Sequence, residues 1–121
     1  MNAVLIDTNI VILHLTGQER FPFDEIQTHI ATVSIFELYQ FPTLSANEKR
    51  HIEMLINMCT IAPLDIHIAI RAGELVQRRR SSKGEIDMLI AATALEYDIP
   101  LITKNVKDFA RIPDLDVRKT V

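Results

Sequence analysis

Gly84-Glu85-Ile86-Asp87-Met88-Leu89-Ile90-Ala91-Ala92-Thr93-Ala94-Leu95-Glu96-Tyr97 decides how this chain is read. Every residue from Glu85 onward tolerates a helix, and Gly84 gives a flexible entry. Asp98-Ile99-Pro100 ends it, because proline disfavours helical backbone in the residue before it. Met88 to Ala94 carries no charge, which predicts a helix buried on most sides. Asp87 breaks the pattern. It shares a face with Ile90, Ala91, Ala94 and Leu95, and a carboxylate on a buried face is costly unless something pairs with it. Either the first-turn N–H groups and the helix dipole stabilise it, or it points into a cleft and holds a metal ion. The second reading requires other acids to converge on it.

Outward from this helix, strands alternate with helices. Ala3-Val4-Leu5-Ile6 reads as a central parallel strand, ended by Asp7. Asp7 or Thr8 caps a helix through Leu15, with Gly17 as its stop. Residues 19–27 read as a loop or short amphipathic helix broken by Pro22, and His29-Ile30-Ala31-Thr32 as a second strand. A helix then runs from Thr32–Ser34 through Gln40, ended near Pro42. Ser45-Ala46-Asn47-Glu48 fits a capping box and opens a helix to about Cys59. Thr60-Ile61-Ala62-Pro63 is a third strand. Asp65 caps a helix from Ile66 to about Arg80, with Ile66, Ile70, Gly73 and Val76 or Gln77 along its stripe. Ser81 to Gly84 is a flexible loop. Pro100-Leu101-Ile102-Thr103 is a fourth strand, residues 105–109 a turn of helix, and Leu115-Asp116-Val117 a fifth, edge strand. The alternation argues for an α/β three-layer sandwich with a mostly parallel sheet of four to five strands. Ligands of such sheets sit outside the carboxyl ends of the strands.

With 121 residues the chain is expected to form a single domain, 1–121, around one sizeable core. A net charge of −3 does not suggest a bulk nucleic-acid binder, although clustered acids that await a metal also lower the charge. The one cysteine, Cys59, excludes an internal disulfide and reads as a packed thiol. Met1-Asn2-Ala3 has no basic segment of a signal peptide, and no apolar run approaches a membrane span. A cytoplasmic, membrane-free protein is expected. Gly17, Gly73 and Gly84 are the only glycines, so no glycine-rich phosphate loop exists.

Several acids fall where one crevice can gather them. Asp7 comes directly after the first strand, Glu37 lies early on the helix after the second, and Asp87 starts the helix that leads into the fourth. Asp7 also reads as a plain helix cap, and Asp108 also reads as a surface residue. Glu37 sits within the otherwise apolar stretch Val33 to Tyr39, where an unpaired acid is rare. Oxygen ligands without supporting His or Cys point to Mg²⁺ or Mn²⁺ rather than Zn²⁺. His14, His29, His51 and His67 show no metal-ligand spacing.

The order and spacing of four segments carry a resemblance across nearly the whole chain. They are Asp7-Thr8-Asn9 after the first strand, Ser34-Ile35-Phe36-Glu37-Leu38, Asp87-Met88-Leu89-Ile90-Ala91-Ala92-Thr93-Ala94, and Leu101-Ile102-Thr103-Lys104-Asn105-Val106-Lys107-Asp108-Phe109. The sequence resembles PIN-domain ribonucleases, and within them the VapC-type toxins of toxin–antitoxin pairs. The resemblance implies metal-dependent endonucleolytic cleavage of RNA, with Asp7, Glu37 and Asp87 as catalytic, metal-binding acids. Asn105 stands where some relatives carry Asp, so either it or Asp108 takes the fourth acidic place. Thr8, Asn9, Ser34, Thr103 and Asn105 become hydrogen-bonding groups that orient carboxylates and water. A metal held by Asp7 and Asp87 would act as Lewis acid and lower the pKa of a bound water, with Glu37 as a further ligand or water-orienting group. Arg79, Arg80, Lys83, Lys104 and Lys107, with Arg78 and Arg111, are candidate RNA-phosphate contacts, although Arg78 to Arg80 read more readily as a solvated helix end that complements the dipole. A cognate antitoxin inserting a peptide near the acids, and a homodimer, complete the implied partners.

Two other classes compete. Haloacid-dehalogenase-like phosphatases also place an aspartate after the first strand but need Asp-x-Asp, and the third residue here is Asn9. A non-catalytic PIN-like RNA- or protein-binding module has no use for three converging acids.

Overall fold

A computed structural model describes residues 3–78 and 84–121. The chain runs β1 (Ala3–Ile6), α1 (Thr8–Leu15), β2 (Gln27–Ala31), α2 (Thr32–Tyr39), α3 (Ala46–Asn57), β3 (Thr60–Ala62), α4 (Ile66–Arg78), α5 (Glu85–Tyr97), β4 (Leu101–Ile102), α6 (Val106–Phe109) and β5 (Val117–Arg118). The expected helix end at Arg79–Arg80 and the loop residues Ser81 to Lys83 lie outside the described residues.

The strands order β3-β2-β1-β4-β5, and every pairing among them is parallel. Side chains alternate across the sheet. Ala3, Leu5 and Leu101 face one core, built with Ile68, Ala72, Leu75, Ile90, Ala91 and Phe109 from α4, α5 and α6. Val4, Ile6, Ile30 and Ile102 face the other, built with Ile10, Val11, Leu38, Ile52 and Leu55 from α1, α2 and α3. Burial on both faces is why the strands read as continuous apolar runs. The chain winds outward through β2 and β3, then returns to β4 on the other side of β1. The strand order therefore reverses between β1 and β4, where open parallel sheets leave a crevice at their carboxyl ends.

The organising helix forms as its sequence predicts. Met88, Ile90, Ala91, Ala92, Thr93 and Ala94 are buried, and the Thr93 hydroxyl, in this apolar setting, donates to the Leu89 carbonyl at 2.7 Å. Asp98 ends the helix in left-handed backbone (φ 53°), with its N–H and that of Ile99 returned to the last-turn carbonyls. The Ser45–Glu48 capping box is present on α3.

The structure corrects four expectations. On α4 the expected stripe of Ile66, Ile70, Gly73 and Val76 or Gln77 faces outward except at Val76, which packs half-buried on the core. Ile66 is 69% and Ile70 56% exposed, and the core takes Ile68, Ala72 and Leu75. Isoleucines at alternate positions cannot share a helix face. The series 68, 72, 75, 76 is the one turned inward, and Ala72 shares a core cluster with Ile90, Ala91 and Ala94 of α5. Second, β2 begins at Gln27 and ends at Ala31, which leaves Thr32 to open α2. Third, β5 is Val117–Arg118, because the turn through Asp114 (φ 67°) spends Leu115 on the core and delivers Val117 opposite Leu101. Fourth, α3 stops at Asn57. Cys59 lies beyond it, half-buried, with its thiol donating to the Leu55 carbonyl and burial pushing its pKa up to about 11.

Ile68 is fully buried. Its truncation in Ile68→Ala is expected to cost about 2–5 kcal/mol, read as a lower midpoint in urea denaturation. A loss below about 0.5 kcal/mol, the range of an exposed position, would reverse the assignment of the buried face of α4.

Candidate active site

Asp7 sits where the sheet ends and α1 begins. Its Oδ1 accepts the Thr8 N–H at 2.7 Å, so the carboxylate caps the helix. Its Oδ2 accepts the Thr103 hydroxyl at 2.8 Å and the Asn9 carboxamide N–H at 3.3 Å. One side chain thus joins the ends of β1 and β4, the two strands that flank the crevice, and the backbone does the same with Asp7 N–H to Ile102 O at 2.9 Å. The Asn105 N–H donates to Thr103 Oγ1 at 3.1 Å, which fixes the hydroxyl that holds Asp7.

A second series of bonds brings in α2. Thr8 Oγ1 lies 2.9 Å from Ser34 Oγ and 2.5 Å from Glu37 Oε1. A hydroxyl carries one proton and a carboxylate only accepts. Thr8 therefore donates to Glu37, and the contact with the fully buried Ser34 is left for the Ser34 hydroxyl to donate. α2 can present Ser34 and Glu37 together because i and i+3 share a helix face.

Asp7 is buried. Desolvation raises its pKa above the ordinary carboxylate value, opposed by the bonds from Thr103 and Thr8. The negative charges of Glu37 and Asp108 raise it further. The site therefore holds acids whose mutual repulsion a cation would relieve. All the donors are oxygens. A carboxylate has about four lone-pair positions, and the three bonds to Asp7 leave room for a ligand bond. Among the described residues no three His, Cys, Asp or Glu side chains form a ready metal cage. Mg²⁺ commonly uses only one or two carboxylates, completed by water and substrate phosphate, and the residues present fit that pattern.

The other expected residues differ in setting. Asp87 is half-buried in the first turn of α5. α5 leads into the start of β4, so its first turn lies at the carboxyl end of the sheet, the end of Asp7. A Cβ on Gly84 (φ 60°) would stand 2.6 Å from Asp87 Oδ2, so glycine there leaves the carboxylate its place. Asp108 is exposed on α6 and reaches Asp7 through its charge. Asn105 is exposed as the N-cap of α6, without a side-chain capping bond. Lys107, Arg78 and Arg111 are exposed. Arg79, Arg80 and Lys83 lie outside the described residues. Lys104 is not a free cation: its ammonium pairs with Glu19 at 2.6 Å. Glu19 was not marked by the sequence, and no local pattern links two residues so far apart. His14 accepts the Phe21 N–H, and His29 packs its ring edge against Tyr97. Burial, first among the causes, lowers the pKa of both.

A parallel α/β sandwich with a carboxylate site at its topological switch point defines the class. The PIN domain family model matches residues 4–115, and the chain belongs to that family. It is 33% identical to ribonuclease VapC19 of Mycobacterium tuberculosis over 119 residues, 92% of this chain and 95% of that protein. It is 39% identical to ribonuclease VapC of Rickettsia bellii over 69 residues, 54% of this chain and only 52% of that protein. Among solved structures, a toxin–antitoxin complex from Klebsiella pneumoniae contains a chain matched with a TM-score of 0.75 and 28% identity, over 96% of each chain.

The raised pKa of Asp7 gives the folded chain a firmer hold on that proton than the unfolded chain has. Ionisation of Asp7 thus subtracts stability as pH rises from the ordinary value of 3.8 through the raised one. Asp7→Asn removes this dependence and keeps the capping oxygen. Its melting temperature is expected to fall less than that of the wild type between acid and neutral pH, even though its Nδ2 gives up the bonds that Oδ2 accepts from Asn9 and Thr103. A variant whose melting temperature falls as steeply as the wild type's over that range would contradict a destabilising ionisation of Asp7.

Proposed function

We propose that this chain, as a single PIN-like domain over 1–121, is a metal-dependent endoribonuclease and the toxin of a toxin–antitoxin pair. The hydrogen-bonded constellation Asp7–Thr8–Glu37 carries the reading, because it brings two acids from separate elements to the carboxyl end of a PIN-domain sheet. The VapC ribonucleases that align with it support an RNA substrate. The toxin–antitoxin complex found among its structural relatives supports a cognate antitoxin.

Asp7, Glu37 and Asp87 would hold Mg²⁺ or Mn²⁺, with Asp108 or Asn105 completing the rim. When bound, such an ion supplies Lewis-acid activation of the phosphodiester and of a water nucleophile. The chain supplies the geometry. Thr103 and Asn9 fix Oδ2 of Asp7, Thr8 N–H fixes Oδ1, and the Ser34–Thr8 pair fixes Glu37. Glu37 can then orient the attacking water, and Lys107, exposed on α6, would contact a flanking phosphate. Ile61, Leu64, Ile66 and Ile70 form exposed apolar surface that supports a homodimer. Among the described residues no helix is long and apolar enough to cross a membrane, and we place the enzyme in the cytoplasm with its RNA.

Purified protein is to be tested on labelled RNAs with Mg²⁺, Mn²⁺ or EDTA, beside Asp87→Asn. Cutting is expected in metal, lost in EDTA and reduced at least about a hundredfold in the variant. Cutting that survives EDTA and the variant alike would refute the metal-site assignment. Folded, antitoxin-free protein that cuts nothing but binds RNA would favour the non-catalytic module.

A further inference from the structure

Lys104 ties together three parts of the chain that the sheet leaves loosely joined. Its ammonium pairs with Glu19 in the loop after α1 at 2.6 Å and donates to the Lys119 carbonyl, just past β5, at 3.3 Å. Its backbone N–H donates to Asn9 Oδ1 at 3.3 Å. Asn9 in turn donates to Asp7 Oδ2 and to Thr103 Oγ1, at 3.3 and 3.4 Å. The side chain of Lys104 thus grips the outside of the turn whose main chain grips Asn9. The need for such a grip is visible in the sheet. β4 and β5 pair over two residues each, Leu101 with Val117 and Ile102 with Arg118, and the bond from the Thr103 N–H to the Arg118 carbonyl at 3.0 Å carries the ladder only as far as Thr103, at the start of the turn. The bond to Lys119 continues the join where the ladder stops.

We propose that Lys104 is a positioning residue for RNA hydrolysis. Clamped between Glu19 and the Lys119 carbonyl, it sets the 103–105 turn so that Asn9 and Thr103 keep the Asp7 carboxylate aimed. The role rests on the nuclease reading above and differs from the phosphate contact that the sequence suggests. The two roles separate on Glu19. A phosphate-binding lysine is held back by its carboxylate, so Glu19→Gln would free it and tighten RNA binding. A clamped lysine loses its anchor in Glu19→Gln, and that variant then behaves like Lys104→Met. The ion pair is partly exposed, with side-chain exposures of 21% and 50%, and pairs of this kind contribute little to stability. Neither variant threatens the fold.

The test is steady-state RNA cleavage by Glu19→Gln, Lys104→Met and Lys104→Arg. Beside it, the ¹⁵N resonance of the Asn9 carboxamide is recorded in the same proteins without RNA. Expected is a fall in kcat of about three- to tenfold in the first two, below the 10–100-fold typical of groups bonded directly to a metal ligand. KM stays unchanged, the Asn9 resonance shifts in both, and Lys104→Arg restores rate and resonance because a guanidinium can bridge the same two oxygens. An unshifted Asn9 resonance, an unchanged kcat, or a Glu19→Gln enzyme with lower KM and wild-type kcat overturns the proposal. If the wild type cuts no RNA, the nuclease reading fails by itself, and the resonance still decides whether Lys104 positions Asn9.

Discussion

The carboxylate of Asp7 is the interaction on which the rest depends. It caps α1, closes the gap between β1 and β4, and accepts from Thr103, Asn9 and the Thr8 backbone at once. The bonds come from two separate places, the first turn of α1 and the turn after β4, so the carboxylate is held in a fixed direction. A parallel sheet makes this possible, because its strands all end on one side and the reversal of strand order opens a crevice there. Two apolar layers supply the rigidity. The buried strands and the charge-free middle of α5 fix where the ends of β1 and β4 fall.

That arrangement works against the electrostatics of the isolated chain. Burial penalises the charged form of Asp7, and Glu37 and Asp108 add to the penalty. A fold under selection for stability alone would place an asparagine or serine there, since either caps a helix without charge. A buried acid that other acids oppose suits the cation-holding role proposed for it. The hydroxyls of Thr8, Ser34 and Thr103 act on the same balance. Thr8 and Thr103 give Glu37 and Asp7 directed bonds, Ser34 supports Thr8, and none adds positive charge that would compete with a cation.

Much of the fold was legible because periodicity and punctuation act locally. The charge-free run of α5, the proline after it and the Ser45–Glu48 box each report on a few neighbouring residues. The failures have a common cause in packing partners that the sequence does not display. On α4 two apolar series compete, and the core takes Ile68 with Ala72 and Leu75 and leaves Ile70 outside. β5 is set by its pairing with Leu101, and not by its own apolar residues. In the site, the clustering of Asp7, Thr8, Asn9, Ser34, Glu37 and Thr103 is visible in the hydrogen bonds, and family motifs were the signal that grouped them. Glu19 carries no such signal. Its pairing with Lys104 exists only because a loop and a turn meet in the folded chain, which is why a phosphate contact looked natural for Lys104.

The most direct test of the central claim is Mn²⁺ titration of wild type and Asp7→Asn in the absence of RNA, with free ion read by electron paramagnetic resonance. A saturable site in the wild type that weakens by about tenfold or more in the variant is expected of a carboxylate held for a cation. Equal binding by both proteins would contradict it, and would leave Asp7 as a helix cap whose burial serves the fold alone.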